Sequence, residues 1–188
     1  ANAGAGVVVS KLGTSVVAAD ELAEALRSTR RSASDGKLKS LAGLVEEVSA
    51  WKKNGLEVGF TNGCFDLLHP GHVHLIEQAR AECDRLIVGL NSDASVTRLK
   101  GEGRPIYDEN ARATLLSSLG SVDAVVVFEQ DTPLELIQAI LPTVLIKGSD
   151  YSRETVVGHE IVEAAGGRVF LAELKDGFST TSTVERLS

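Results

Sequence analysis

The stretch Gly59-Phe-Thr-Asn-Gly-Cys-Phe-Asp-Leu-Leu-His-Pro-Gly-His72 decides the fold of this 188-residue chain. It begins within an apolar run over residues 56–60, which predicts a first buried strand. Pro70 is typical of the first turn of a helix, so the next helix is expected to begin within residues 69–71. A strand, a glycine-containing turn and a helix start in succession indicate the beginning of an α/β unit.

The same alternation of apolar runs and amphipathic segments continues along the chain. Four further strands are predicted at 85–90, 124–128, 143–147 and 168–172. Helices are predicted at about 38–53, 71–82 and 109–119, after Pro133, at about 154–165 and from near Thr181. Short buried strands that alternate with helices predict a parallel sheet with right-handed crossovers. The expected architecture is therefore a doubly wound, five-stranded parallel α/β sheet.

The first 37 residues differ from the remainder of the chain. An amphipathic stretch after Asp20 predicts a short helix, and the polar, unperiodic residues 28–37 predict a linker. We therefore expect a helical extension and linker over 1–37 and one compact domain over 38–188. Because the chain starts at Ala1 and contains no Met, we expect it to be a fragment or a processed chain.

Composition narrows the class of protein. The chain carries 19 basic and 26 acidic residues, a formal net charge of −7, which argues against a general nucleic-acid binder. A nucleotide or sugar-phosphate ligand remains compatible, because such sites need only a few local cations. No apolar run approaches the roughly 20 residues that span a bilayer. Two unpatterned cysteines, Cys64 and Cys83, and no signal sequence indicate a reducing cytoplasm.

The opening stretch also places chemistry at one edge of the predicted sheet, because ligands of open α/β sheets bind at the carboxyl ends of the strands. His69 and His72 fall on the first turn of the predicted helix, and Gly71 between them adds no bulk. Gly63 allows a tight turn or a close approach to a ligand. Two imidazoles beside the free N–H groups of a helix start form a cradle for phosphate. Zinc bound by Cys64, His69 and His72 is an alternative that the residue types leave open.

The motifs Thr61-Asn-Gly-Cys-Phe-Asp66 and His69-Pro-Gly-His72 resemble the signature of the nucleotidyltransferase superfamily that includes the glycerol-phosphate and choline-phosphate cytidylyltransferases. The resemblance covers residues 55–188. It is sharpest to the adenylyltransferase domain of the bifunctional heptose kinase/adenylyltransferases of lipopolysaccharide-core synthesis. The motifs that carry this closer resemblance are Asn91-Ser-Asp93, Arg98-Leu-Lys-Gly101, Arg104-Pro105, Val122-Asp123, Phe128-Glu-Gln-Asp-Thr-Pro133, Leu145-Ile-Lys-Gly-Ser-Asp-Tyr151 and Gly177-Phe-Ser-Thr-Thr181.

The resemblance implies a Rossmann-like fold of the His-x-Gly-His nucleotidyltransferase type, and residues 1–37 resemble the end of a ribokinase-type kinase domain with its linker. The implied reaction transfers AMP from ATP to D-glycero-β-D-manno-heptose 1-phosphate, giving ADP-heptose and pyrophosphate. A sugar phosphate is already anionic and needs no general base, so the protein must supply alignment and charge stabilisation. Two alternatives are a cytidylyltransferase for a polyol or amino-alcohol phosphate and a non-catalytic nucleotide-binding module.

The implied partners follow from the same resemblance. They are ATP with its Mg²⁺, a sugar 1-phosphate and a kinase domain in the same polypeptide, with no nucleic acid and no membrane. No protein residue is expected to be a metal ligand. A homodimer is a further hypothesis, because the predicted N-terminal helix has an apolar face formed by Leu22, Ala25 and Leu26.

The resemblance also assigns roles to individual residues. His69, His72 and Lys100 are the expected catalytic residues. The expected nucleotide and phosphate contacts are Thr61, Asn62, Gly63, Phe65, Gly71, Asn91, Asp93, Arg104, Arg112, Lys147, Gly148, Ser179, Thr180 and Thr181. Some alternatives stay open: a solvated turn for the basic residues 98–104, an ion pair within its own helix for Arg112, and a plain helix cap for Thr180 or Thr181. Asp66 is expected to cap the turn or to orient a histidine.

Overall fold

The computed structural model describes residues 36–174. The predicted N-terminal helix, the last helix near Thr181 and the contacts expected from Ser179, Thr180 and Thr181 lie outside the described residues. Six strands are described: β1 (Leu38–Lys39), β2 (Val58–Gly63), β3 (Arg85–Asn91), β4 (Ala124–Phe128), β5 (Val144–Gly148) and β6 (Arg168–Ala172). The helices are α1 (Leu41–Lys53), α2 (Pro70–Ala81), α3 (Asp93–Lys100), α4 (Glu109–Ser117), α5 (Leu134–Ile140) and α6 (His159–Ala164).

All neighbouring strands are parallel, in the order β1-β4-β3-β2-β5-β6. From β2 the chain winds through β3 to β4 on one side and then returns to β5 and β6 on the other. The switch point of this doubly wound sheet therefore lies between β2 and β5. The predicted α/β class and the five predicted strands are confirmed.

Apolar side chains cover both faces of the sheet. One cluster includes Phe60 and Ile87 and packs against α1, α5 and α6. The opposite cluster includes Leu86 and Val88 and packs against α2 and α4. Burial on both faces explains why the strands are almost continuously apolar in sequence.

Four elements differ from the sequence-based prediction, two of them strands. A sixth strand, β1, occupies residues predicted as the start of a helix, because Leu38 and Lys39 pair with Val125 and Val126 of β4. Two residues are too few to show a periodicity, so this edge strand depends on tertiary pairing. The strand β2 also extends to Gly63, three residues past its predicted end.

The helix α3 was not predicted, and the helix predicted at 154–165 is interrupted. Ser92 begins α3, and its side chain accepts a hydrogen bond from the Ser95 amide. In the predicted 154–165 segment, a short 3-10 turn at Arg153–Thr155 precedes α6, and Gly158 between them has φ +86°. Within residues 36–174, no helix is long and apolar enough to cross a bilayer.

Candidate active site

The sheet opens at its switch point. On one side, β2 remains paired with β3 as far as Gly63 and Leu90. On the other side, its pairing with β5 ends at Phe60 and Leu145. The carboxyl ends of β2 and β5 therefore diverge, and a cavity of about 440 Å³ lies at this edge.

The cavity brings together most of the described residues that the sequence singled out. Those that line it are Thr61, Asn62, Gly63, Phe65, His72, Asn91, Lys100, Lys147 and Gly148. The prediction missed further lining residues, among them Asp131, Thr132, Pro133, Asp150 and Tyr151. These residues follow β4 and β5, so their positions just after predicted strands were the signal available in the sequence.

The two histidines lie at the start of α2, as predicted. His69 is the residue before the helix, Pro70 is its first residue, and Gly71 is its half-buried second residue. The Nδ1 atom of His69 accepts a hydrogen bond from the His72 amide at 3.3 Å. The two imidazoles are stacked, with ring centroids 3.7 Å apart and planes 18° from parallel.

The position of the stacked pair is set partly by Phe65. This residue adopts φ +44°, a left-handed conformation that is uncommon for a bulky side chain. Its ring lies 5.1 Å from the His72 ring, centroid to centroid. His72 lines the cavity, whereas His69 lines an adjacent depression with Val73 and Glu77. The pair thus forms a wall between the two spaces.

Both imidazoles are neutral near pH 7. Burial, reinforced by the His69 and Lys100 charges, lowers the pKa of His72 to about 4. Burial is also the main cause that lowers the pKa of His69. Because Nδ1 of His69 is an acceptor, its proton belongs on Nε2. The pair therefore offers neutral N–H donors, not imidazolium cations.

Lys147 brings a positive charge into the gap between β2 and β5. Its Nζ donates a hydrogen bond to the Asn62 carbonyl at 3.1 Å and lies 5.4 Å from the centroid of the Tyr151 ring. Burial lowers the pKa of Lys147 to about 8, although the nearby Asp150 opposes the shift. The ammonium group is still mostly protonated at neutral pH and lines the cavity.

Lys100 is a second cation that lines the cavity. It is the last residue of α3, and Gly101 after it has φ +94°. The basic residues predicted as a loop are thus divided between a helix end and the loop 101–108. Lys100 itself is exposed, and its charge contributes to lowering the pKa of both histidines.

Arg112, expected as a nucleotide contact, lies outside the cavity lining and is almost completely buried, with 1% of its surface exposed. Its partner is Asp93 on α3, at 2.7 Å, and not an acid on its own helix. The guanidinium also donates to the carbonyls of Tyr107, Cys64 and Asn91. Arg112 therefore ties strand ends together, and Asp93 is engaged with it.

Arg104, expected as a phosphate ligand, is also absent from the cavity lining. Its Nε donates to the carboxylate of Asp66, which also accepts a hydrogen bond from the Ile106 amide at 2.6 Å. Asp66 thus holds the loop 101–108, whereas the sequence analysis expected it to cap its own turn or to orient a histidine.

Metal ligands are scarce around the cavity. No group of three or more His, Cys, Asp or Glu side chains within residues 36–174 is arranged to hold a metal ion. The zinc alternative with Cys64, His69 and His72 therefore finds no support in this part of the chain. Cys64 and Cys83 are both free thiols.

Together, the doubly wound sheet, the helix start with its paired histidines and the cation-bearing cavity at the switch point define a nucleotidyltransferase-type α/β domain. The sequence model of the family described as cytidylyltransferase-like matches residues 60–186. This chain belongs to that family.

Two curated relatives illustrate the similarity. The chain is 58% identical over 187 residues to the bifunctional protein HldE of Rhodospirillum rubrum, covering 100% of this chain and 38% of that protein. It is 56% identical over 188 residues to the bifunctional protein HldE of Caulobacter vibrioides, with coverages of 100% and 39%. The chain thus spans less than two fifths of the length of these relatives.

Solved structures show a similar fold. A lipopolysaccharide core biosynthesis protein from Thermoplasma volcanium is 26% identical with a TM-score of 0.53, covering 64% of this chain and 98% of that chain. A pantoate-beta-alanine ligase from Francisella tularensis, complexed with beta-gamma ATP and beta-alanine, has a TM-score of 0.54 at 15% identity. That match covers 78% of this chain and 72% of the ligase, and it shows a likeness of fold alone.

Proposed function

We propose that this chain transfers AMP from ATP to D-glycero-β-D-manno-heptose 1-phosphate, giving ADP-heptose and pyrophosphate for the lipopolysaccharide inner core. The observation that carries the proposal is the stacked, neutral histidine pair beside Lys100 and Lys147 at the switch point. Similarity to bifunctional HldE proteins over the whole chain, and to a lipopolysaccharide core biosynthesis protein, supports the choice of substrate class.

The proposal includes the organisation of the longer protein. Residues 38–188 form the nucleotidyltransferase domain, and residues 1–37 are the end of a ribokinase-type kinase domain with its linker. The bifunctional relatives, of which the chain covers 38–39%, are consistent with a second catalytic domain in the same polypeptide. We place the reaction in the cytoplasm, and a homodimer through the apolar face near Leu22 is a separate hypothesis.

The proposed chemistry is a displacement at the α-phosphorus of ATP. An oxygen of the sugar phosphate forms a new bond to phosphorus, and the bond to the bridging oxygen of pyrophosphate breaks. The attacking group is already an anion, so no base is required. Negative charge develops on the transferred phosphoryl group and the leaving pyrophosphate, and fixed donors and cations stabilise it.

The residues of the cavity suit this task. The N–H group of His72, which lines the cavity, and that of His69, at the border with the adjacent depression, donate to phosphate oxygens without transferring a proton, because neutral imidazole is the stable form here. Lys100 and Lys147, which both line the cavity, supply positive charge. Thr61 at the end of β2 positions the β- or γ-phosphate. Nucleotide contacts also come from the cavity-lining residues Asn62, Gly63, Phe65, Asn91 and Gly148 and from the helix start at Gly71.

Mg²⁺ enters this proposal as part of the substrate, bound to ATP. Mg²⁺ is a hard cation that commonly binds through substrate phosphates and water with one or two carboxylates. Asp131 and Asp150 line the cavity and could each contribute a single oxygen. The proposed transfer step needs no protein-bound metal.

One assay tests the proposal and its main alternative. Pyrophosphate release is measured with ATP or CTP, each combined with heptose 1-phosphate or glycerol 3-phosphate. We expect turnover with ATP and heptose 1-phosphate, and its loss in His72→Ala, with His74→Ala on the same helix as the matched control. A preference for CTP and glycerol 3-phosphate would instead support the alternative that the chain is a cytidylyltransferase. Tight ATP binding without any pyrophosphate release would indicate a non-catalytic module.

A further inference from the structure

Asp66 is a carboxylate with no access to solvent, since 0% of its side chain is exposed. Burial of a charge is unfavourable unless close partners compensate for it. The Nε of Arg104 and the amide of Ile106 supply that compensation. Both partners belong to the loop 101–108, 38 and 40 residues further along the chain. Asp66, which follows the end of β2, therefore bonds to a loop that is distant in sequence.

We propose that Asp66 is a positioning residue that orients the guanidinium of Arg104 toward the pyrophosphate end of the bound nucleotide. The inference rests on the proposed function, because it requires a nucleotide polyphosphate in the cavity. It assigns Asp66 no contact with the substrate.

The loop 101–108 needs such a constraint. Gly101 and Gly103 have φ of +94° and +78°, and a side chain at either position would meet nothing within 4 Å. Two other contacts hold the backbone of the loop: the Thr97 hydroxyl lies 2.7 Å from the Arg104 carbonyl, and Arg112 donates to the Tyr107 carbonyl. Among the hydrogen bonds described for residues 36–174, the bond to Asp66 is the one that holds the Arg104 side chain.

The orientation leaves Arg104 with unused donors. A guanidinium presents five N–H groups in a planar fork, and Asp66 engages it through Nε. Nη2 of Arg104 is buried and has no hydrogen-bond partner within the described residues. A buried donor without an acceptor is unfavourable, and phosphate oxygens accept well from such a fork. Arg104 itself lies outside the cavity lining, but its loop starts from Lys100, which lines the cavity, so a polyphosphate that extends past Lys100 would approach the fork.

The first test uses Asp66→Asn. Asparagine keeps an oxygen for the Ile106 amide, but its NH₂ group would face the donor Nε of Arg104 and lose that bond. We expect inorganic pyrophosphate to bind about tenfold more weakly in titration calorimetry, on the scale of one lost charge-assisted contact. Hydrogen exchange of the Ile106 amide should stay slow. The matched control is Glu57→Gln, which breaks the Glu57–Arg168 pair next to the amino end of β2 and should leave both values unchanged.

A double-mutant cycle separates positioning from general support of the fold. If Asp66 acts through Arg104, Asp66→Asn should weaken pyrophosphate binding no further once Arg104→Gln is present. Full additivity of the two losses would overturn the inference. So would wild-type pyrophosphate affinity in Asp66→Asn.

Arg104→Lys tests the same inference if Asp66→Asn does not fold. Lysine keeps a cation beside the buried carboxylate but lacks the fork that reaches two acceptors at once. Pyrophosphate binding should weaken about tenfold here too, and wild-type affinity would again contradict the inference. Pyrophosphate binding does not depend on the sugar substrate, so a failure of the proposed reaction and a failure of this positioning role give different results.

Discussion

The two sides of the switch point bury a cation in opposite ways. On the β3 side, Arg112 donates to three carbonyls and to the carboxylate of Asp93. On the β5 side, Lys147 donates one described hydrogen bond, to Asn62, and otherwise lines the cavity. The protein engages four of the five N–H groups of the first cation, whereas the second has one described hydrogen bond and keeps donors for a ligand.

This difference distinguishes buried charges that stabilise the fold from buried charges that bind a ligand. A guanidinium with four of its five donors occupied has little left for a phosphate, so it contributes mainly rigidity. Burial deprives the Lys147 ammonium group of solvation and lowers its pKa to about 8. Such a charge is favourable only if another interaction compensates for the lost solvation. In this cavity the proposed gain is a contact with a phosphate group of the bound nucleotide.

The largest expected effect comes from Arg112→Ala. One buried and two partly buried carbonyls would lose a donor, and Asp93 would lose its ion-pair partner, so we expect the free energy of unfolding in urea to fall by about 3 kcal/mol or more. Arg168→Ala is the control, because the Arg168–Glu57 pair is about half exposed and should change stability by less than about 1 kcal/mol. Equal free energies of unfolding for the two variants would contradict the structural role assigned to Arg112.

His72→Ala should come next, because His72 lies where the two sides meet. Loss of one donor to the developing charge should reduce turnover by ~10²-fold or more, while the urea midpoint stays near that of the wild type. Steady-state pyrophosphate release measures the effect. Wild-type turnover would remove the histidine pair from the mechanism.

Lys147→Met tests the role of the cation on the β5 side. Removing the ammonium group should weaken ATP binding by about tenfold without lowering stability, since a buried charge is replaced by an apolar chain. Titration calorimetry and urea unfolding give the two numbers. A large loss of stability with unchanged ATP affinity would place Lys147 in the same structural class as Arg112.

The pH dependence of ATP binding should report Lys147 directly. With its pKa lowered to about 8, the ammonium loses its charge as the pH rises through that value, so affinity should decline above about pH 8. Lys147→Arg, which keeps its charge throughout this range, should remove the decline. An unchanged alkaline decline in Lys147→Arg would assign it to another group.

The smallest expected effect is on the titration of His72. Lys100 is one of the charges that lower its pKa to about 4, so Lys100→Ala should raise that pKa, as followed by imidazole NMR signals. Arg98→Ala on the same helix, where Arg98 pairs with Asp131, is the control and should leave the His72 pKa unchanged. The absence of a rise in Lys100→Ala would show that Lys100 does not act on the histidine pair.

Local signals predicted much of the site. Pro70 marked the start of α2, and the spacing of His69 and His72 put both imidazoles on its first turn, as the structure shows. The strands β2 to β6 were found because each is a short run of apolar residues. The helix α3, which Ser92 caps, was not predicted because its eight residues are too few to show a clear helical period.

The roles of Arg112, Arg104 and Asp66 were not predictable in the same way. Nothing local distinguishes Arg112 from an arginine that faces a ligand, because its acceptors Cys64 and Asn91 lie 48 and 21 residues away. The Asp66–Arg104 pair is likewise formed across 38 residues. Resemblance placed both arginines among the phosphate ligands, and only their packing shows how they are bound.

The order of residues alone determined an alternating α/β chain. It also determined a helix that starts with two histidines at the end of the first long strand. Both follow from turn chemistry and apolar periodicity, which act over a few residues. The tertiary structure decided that β2 and β5 part after Phe60, that both imidazoles are neutral, and that one buried cation has most of its donors engaged while another is available. Solvent exclusion and hydrogen-bond partners depend on segments that meet only when the sheet has formed.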